Sequence, residues 1–259
     1  MNLLDALILA LVEGITEFLP ISSTGHMILT SHLLGLENSE FLKTFEISIQ
    51  LGAILAIAVM YIKRFFNGIE IYKKLFVAFV PTATIGFLMY KIIKAYLFNS
   101  WVVSFSLILG GLLLIIWDKK LKEAKSIVVE LESISYKNAF YIGFIQCLSV
   151  IPGVSRAGAS ILGGIFNGLD RKQATEFSFL LAVPTMLAAT TYDLLKTPLH
   201  FNSEQLTLLS VGLIGAFVSA WVAVRFLVRF LNTHGFGAFG WYRIALGVMF
   251  LMLIWFKVI

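Results

Sequence analysis

Leu19-Pro20-Ile21-Ser22-Ser23-Thr24-Gly25 and Ile151-Pro152-Gly153-Val154-Ser155-Arg156-Ala157-Gly158 interrupt two long apolar stretches, residues 3 to 35 and 138 to 168. Proline removes a helical N–H and clashes with the preceding turn, while serine and glycine favour caps and turns, so each stretch breaks in its middle. Unbroken, the two would make helices of about 50 Å and about 46 Å at ~1.5 Å per residue, too long for a hydrocarbon core of about 30 Å. Two half-helices around a break at membrane depth fit each stretch.

Outside these stretches lie six apolar runs of spanning length, roughly 42 to 61, 75 to 93, 101 to 117, 173 to 195, 206 to 228 and 241 to 258. Of the 259 residues 59% are hydrophobic and 14% charged, against about 45–50% and about 25% in a soluble domain. An all-α polytopic membrane protein is therefore expected. A β-barrel is excluded by stretches such as Leu51 to Tyr61, which are apolar on every side. The one cysteine, Cys147, permits no internal disulfide and is expected to pack. Met1 to Asp5 carries no basic region or small-residue cleavage site and reads as mature protein. The formal net charge of +5 resides in short connections, which points to membrane orientation and not to nucleic acid.

The two breaks resemble each other. Ser22-Ser23-Thr24-Gly25 and Ser155-Arg156-Ala157-Gly158 share a Ser-x-x-Gly step after a proline, and Thr44-Phe45-Glu46 and Thr175-Glu176-Phe177 follow at similar distances. A single membrane domain, 1–259, with an internal repeat is read from this: halves of about 1–117 and 138–259, joined by a cytoplasmic loop, 118–137. Three spans per half invert the second copy relative to the first, as in many transport folds. If both broken regions turn back as re-entrant hairpins, 14 basic residues fall on one side and 5 on the other; if both cross, the division is 11 and 8. The positive-inside rule favours the re-entrant arrangement, with both termini outside.

Glu13 and Glu17 lie four residues apart on one helical face, and carboxylates at membrane depth line a water-filled cavity or hold a cation. A serine of Ser22-Ser23-Thr24-Gly25-His26 caps the second half-helix, whose N–H groups then offer an anion site beside a hydroxyl and an imidazole. Arg156, in the first turn after its cap Ser155, opposes the helix dipole unless an anion or one of the two glutamates neutralises it. Facing helix N-termini and arginine favour an anion while paired carboxylates repel one; a divalent metal, Mg²⁺ or Ca²⁺, reconciles them. Glu46 and Gln50 form a further polar pair for the same cavity. Glu176 is read as pairing with Arg171 or Lys172, and Asp193 as an acid at the outer end of a span.

The run Glu13-Gly14-Ile15-Thr16-Glu17-Phe18-Leu19-Pro20-Ile21-Ser22-Ser23-Thr24-Gly25-His26, with Pro152-Gly153-Val154-Ser155-Arg156-Ala157-Gly158-Ala159-Ser160, closely resembles the two signature motifs of the bacterial undecaprenyl-diphosphate phosphatase, or bacitracin-resistance, family. The likeness covers essentially the whole chain. It implies hydrolysis of undecaprenyl diphosphate to undecaprenyl phosphate at the outer face of the bacterial inner membrane, recycling the lipid carrier of peptidoglycan synthesis. By similarity Glu13 and Glu17 would hold or orient the metal, and Arg156 would bind phosphates. Ser23 would be nucleophile or phosphate ligand, and His26 the acid–base or nucleophilic group; the sequence leaves open which of the two attacks. Ser22, Thr24, Gly25, Gln50, Ser155 and Gly158 are the further substrate-binding candidates. Ala157 and Ser160 stand where the family usually has serine and threonine, which weakens a binding role at position 157. The expected partners are a polyprenyl diphosphate and membrane lipids, with a homodimer compatible and no nucleic acid. The rival reading is a transporter or flippase of a lipid-linked or small anionic substrate, suggested by the inverted repeat; it leaves paired acids beside a serine and a histidine without a task.

Overall fold

In the computed structural model, which describes residues 1–37, 39–66, 69–97, 99–123, 131–196 and 201–258, each interruption ends one helix and starts another. Helix α1 (Leu3–Glu17) opens on a capping box between Asn2 and Asp5 and stops short of Pro20. Helix α2 (Ser23–Leu33) begins on Ser22, whose hydroxyl accepts from the Gly25 N–H. Then come α3 (Glu40–Met60), the short α4 (Ile62–Phe66), α5 (Ile69–Ile92), which runs on as a π turn over Ile93–Leu97, and α6 (Ser100–Glu123). The later half repeats the pattern. Helix α7 (Tyr136–Gln146) is extended by a 3₁₀ turn over Cys147–Val150, and α8 (Arg156–Phe166) begins on Ser155, whose hydroxyl accepts from the Gly158 N–H. Helices α9 (Arg171–Leu195), α10 (Ser203–Leu231) and α11 (Gly237–Trp255) follow.

Helices α3, α5, α6, α9, α10 and α11 are long and apolar enough to cross a membrane, each within a few residues of its expected run. Leu109, Ile214 and Val222 turn outward from them, more than half exposed, as lipid-facing residues do. The chain is an all-α, multi-pass membrane protein, and no strand occurs among the described residues. The middle of the connecting segment 118–137, residues 124–130 with Lys125, lies outside the described residues.

Contacts between helices fix their directions. Ala10 of α1 packs on Gly215, and Gly14 lies so close to Ala216 and Ala220 that a Cβ there would collide with α10, so α1 and α10 run parallel. Phe41 meets Phe201 at the start of α3 and α10, and Gly52 meets Leu213 further along, so α3 is parallel to both. In the other half Tyr136 donates to Glu70, and the Thr82 hydroxyl donates to the Gly143 carbonyl, which makes α7 parallel to α5. Thr82 and Thr185 share the Gln146 amide, and the Tyr90 hydroxyl donates to Asp193, which adds α9 to that set. The last turn of α3 meets the first turns of α9 through Tyr61 and Phe179, so these two are antiparallel. Antiparallel too are α6 and α11, joined by Gly247 on Ser104 and by the Phe236 N–H on Asp118.

From these directions α1 and α3 start at the same end of the molecule, so α2 must return to the end where α1 began. Helix α8 likewise returns toward the start of α7, where the Asn138 amide donates to the Asn167 carbonyl at 3.2 Å. Two corrections to the charge pattern follow. Arg243, one of the 14 basic residues on the more basic side, is 1% exposed inside α11 and does not belong to that surface. Glu176 pairs with Arg64, at 2.7 Å, and not with Arg171 or Lys172; Arg171 pairs with Asp118 at 2.9 Å. The expectation rested on helical neighbours, whereas the partners that close these gaps come from other helices.

Candidate active site

The two breaks meet at the inner end of a cavity of about 580 Å³. Its walls near the breaks carry Glu17, Ser22, Ser23, Thr24, Gln50, Ser155 and Arg156, and it extends along α5 and α9 to Tyr90, Ile93, Tyr192 and Asp193 at their C-terminal ends. Phe79, Ala83, Gly86 and Phe87 of α5 give it an apolar side.

Three of the expected residues form one connected chain. The Ser23 hydroxyl donates to Glu17 Oε2 at 2.5 Å, and Glu17 Oε1 accepts from Arg156 Nη2 at 3.0 Å. Arg156 also donates through Nη1 to the Ser178 carbonyl at 3.2 Å and stands over the Phe18 ring at 5.4 Å. Those contacts fix the guanidinium, but its Nε is buried and without a partner among the described residues. A buried unpaired donor is costly, and the guanidinium stands on the cavity wall, where an anion would draw on its N–H groups.

The caps consume part of each helix N-terminus. Ser22 and Ser155 hold the Gly25 and Gly158 N–H groups at 3.5 and 3.1 Å, and neither glycine lines the cavity. The N–H groups ahead of them, on Ser23 and Thr24 and on Arg156 and Ala157, are left as first-turn donors. Both cap serines sit at positive φ, 70° and 73°, and Gly153 at 93° lies against the Val103 carbonyl where a Cβ would collide. Such strained backbone persists only when its surroundings hold it.

Arg243, which sequence reading missed, supplies much of that hold. Its five N–H groups donate to the carbonyls of Pro20, Gly153, Val154, Ser106 and Leu107 at 2.9 to 3.4 Å. Backbone groups freed by a break at membrane depth must be satisfied internally, and one guanidinium does this for both breaks at once. Its one trace in the sequence is an arginine within an apolar run; the structure makes room for it at Gly110, where an added Cβ would strike the guanidinium.

Other expected residues lie back from the cavity. Glu13 is 1% exposed, its carboxyl lies against that of Glu17, and its Oε1 has no partner among the described residues. His26 is not on the cavity wall; its Nδ1 lies 2.7 Å from the Ser22 carbonyl and its Nε2 2.6 Å from the Tyr242 hydroxyl. Glu46 accepts from Ser31 and leaves the wall to Gln50. Ala157 is fully buried, and Ser160 bonds to the Arg156 carbonyl and Ser178; neither lines the cavity. Asp193 is a cavity residue bound to Tyr90, and Cys147 is half-buried with its thiol donating to the Gly143 carbonyl.

No group of three or more His, Cys, Asp or Glu side chains suited to a metal occurs among the described residues. The Glu13–Glu17 pair would accept a cation, because Arg156 bonds Glu17 alone and leaves Glu13 Oε1 without a partner among the described residues. Of the two ions expected, Mg²⁺ would ask fewer oxygens of such a pair than Ca²⁺, which takes about 6–8.

A family model described as bacitracin resistance protein BacA matches residues 6–249. The chain belongs to the BacA family. It is 50% identical to an undecaprenyl-diphosphatase of Aquifex aeolicus over 247 residues, which is 95% of this chain and 96% of that protein. It is 51% identical to one from Wolinella succinogenes over 253 residues, 97% and 98% of the two chains. A third, from Persephonella marina, is 48% identical over 254 residues, 98% and 100%. In this BacA chain the two motifs that resemble the family's signatures span the end of α1, the two breaks and the first turns of α2 and α8.

Proposed function

We propose that the chain hydrolyses undecaprenyl diphosphate to undecaprenyl phosphate and inorganic phosphate, recycling the lipid carrier for envelope synthesis and conferring bacitracin resistance. Relatives 48 to 51% identical over nearly the whole chain are undecaprenyl-diphosphatases, which supports this substrate. The observation that carries the reading is the Ser23–Glu17–Arg156 chain on the wall of the cavity. A hydroxyl donating to a carboxylate is an activated nucleophile with its base, and an arginine with an unused donor is a phosphate ligand. This favours Ser23 over His26 as the attacking group, since both His26 nitrogens are engaged away from the cavity.

In the first step Ser23 Oγ attacks the terminal phosphorus as its proton passes to Glu17. The new bond is Oγ–P, and the anhydride P–O bond breaks, with undecaprenyl phosphate leaving on its own oxygen. In the second step water attacks the phosphoserine and the Oγ–P bond breaks; Ser23 Oγ recovers the proton from Glu17, and both protons of the water leave on the phosphate, released as H2PO4−. Arg156 and the first-turn N–H groups of α2 and α8 hold the charge that shifts between oxygens. Glu13 and Glu17 would hold a divalent cation, Mg²⁺ by the donor set, which when bound would neutralise the diphosphate. The apolar side of the cavity along α5 suits the first isoprene units.

The helix directions support the inverted repeat: α1 on α10 matches α7 on α5, α3 on α10 matches α9 on α5, and α3 on α9 and α6 on α11 are antiparallel. They support re-entrant hairpins as well. The cavity extends toward the end that carries Lys43, Lys91 and Lys196, while Lys63, Arg64, Lys73, Arg171, Lys172, Arg225 and Arg229 lie at the other. With the basic end in the cytoplasm of the inner membrane, the site faces outside.

Purified protein in detergent is expected to release inorganic phosphate from a prenyl diphosphate, with loss of release on chelation and recovery on adding Mg²⁺. Absence of release from folded protein would move the reading to a transporter. Glu176→Gln serves as a control. Glu176 is 14% and Arg64 40% exposed and the pair lies off the cavity, so the variant is expected to cost some stability and to retain phosphate release within about threefold. Full inactivation would contradict that assignment.

A further inference from the structure

His26 bonds to a carbonyl on one side and a phenol on the other, and the carbonyl decides the tautomer. A carbonyl only accepts, so Nδ1 carries the proton and donates to Ser22 O at 2.7 Å. Nε2 is then the acceptor, and the Tyr242 hydroxyl donates to it at 2.6 Å, with the two rings parallel at an interplanar angle of 4°. The chain of bonds runs from α11, through His26 on the first turns of α2, to Ser22, the residue at φ 70° that sets the direction of Ser23. Tyr242 directly precedes Arg243, which holds the carbonyls of Pro20, Gly153 and Val154.

We infer that Tyr242 is a positioning residue for the reaction: through His26 it holds Ser22 in its strained conformation and so keeps the Ser23 hydroxyl on Glu17. His26 on this inference is also a positioning residue, in place of the acid–base or nucleophilic role that family resemblance implies. His26 does not line the cavity, and its Nδ1–H adds to the His26 backbone N–H already on the Ser22 carbonyl, bracing that strained residue. Consecutive residues of α11 thus divide the work, Arg243 satisfying the carbonyls of both breaks and Tyr242 fixing the conformation of the first. The inference rests on the phosphatase reading.

The test uses full-length protein in detergent, with phosphate release measured for wild type, Tyr242→Phe, His26→Asn and His26→Ala. Phenylalanine keeps the ring stack and removes one hydrogen bond, so kcat is expected to fall about fivefold with KM within about twofold. Asparagine places an amide N–H near the Nδ1 position but cannot transfer a proton or attack phosphorus. His26→Asn is therefore expected to stay within about tenfold of wild type, and His26→Ala to fall at least about tenfold below His26→Asn in kcat. An Asn variant as inactive as the Ala variant, or wild-type kcat in Tyr242→Phe, would overturn the inference. Nitrogen-15 spectra of the imidazoles, with the His26 signal identified by its loss in His26→Asn, give a readout independent of activity. The Nδ1–H tautomer is expected in wild type and a mixture in Tyr242→Phe; an Nε2–H tautomer in wild type would overturn the geometry. Phosphate release missing even from wild type would instead sink the phosphatase reading and the kinetic role with it, leaving the tautomer to decide the bonding alone.

Discussion

Ser23→Ala is expected to lower phosphate release by at least about 10³-fold with little change in KM, because a nucleophile contributes to the transition state and scarcely to ground-state binding. The change is small in structural terms. Ser23 is the first residue of α2, the cap belongs to Ser22, and the Ser23 hydroxyl's hydrogen bond is to Glu17. Removing it leaves Glu17 Oε2 without that donor at the cavity wall, where water can replace the hydroxyl, so the melting temperature in detergent is expected to move by only a few degrees. Loss of activity with intact folding separates a chemical role from a structural one. Trapping of labelled phosphate on wild-type protein quenched in acid, and its absence in Ser23→Ala, would identify the covalent step. A folded Ser23→Ala variant active within about tenfold of wild type would exclude Ser23 as nucleophile.

What sequence made legible is local chemistry. Pro20 and Pro152 with their serines and glycines announce a break and a cap from a handful of adjacent residues, and the cap hydrogen bonds fall where that pattern places them. Six runs of apolar residues define spans for the same reason, since length and hydropathy need no knowledge of neighbours. Arg156 stood out because a cation in the first turn of an apolar half-helix needs a partner, and its partner proved to be one of the two glutamates considered.

What stayed hidden depends on packing between distant segments. Arg243 begins an apolar run, the place where arginine ordinarily reaches the membrane interface, and its acceptors include the Pro20 carbonyl 223 residues away. Backbone carbonyls have no signature in sequence, so a side chain recruited to satisfy them cannot be read from its own surroundings. Glu46 and Gln50 show the same limit within one helix. Spacing placed them on one face, but Ser31 of α2 draws Glu46 away while Gln50 alone reaches the cavity. Glu176 was assigned to helical neighbours and instead closes the gap between α9 and Arg64.

Arg156→Ala is expected to reduce phosphate release by about 10³-fold or more, the scale of losing an arginine that stabilises a phosphoryl-transfer transition state. The ion pair with Glu17 offers a competing explanation, in which arginine merely neutralises a buried acid and activity is lost through misfolding. The two differ in what a second substitution does. Arg156→Ala leaves Glu17 beside Glu13 without its cation, so it is expected to lower the melting temperature as well as activity, and adding Glu17→Gln is expected to restore stability but no phosphate release. Arg156→Lys separates charge from geometry. Lysine keeps a positive charge near Glu17 but cannot anchor on the Ser178 carbonyl while presenting a second planar donor, so it is expected to recover stability and to remain about 10²-fold slower than wild type. The fork of the guanidinium is the structural reason for that difference, since it bonds Glu17 and the Ser178 carbonyl and still keeps N–H groups, that of Nε among them, without an acceptor among the described residues. Near-normal activity of folded Arg156→Ala would remove the arginine from the phosphate site; full activity of Arg156→Lys would reduce its contribution to charge alone.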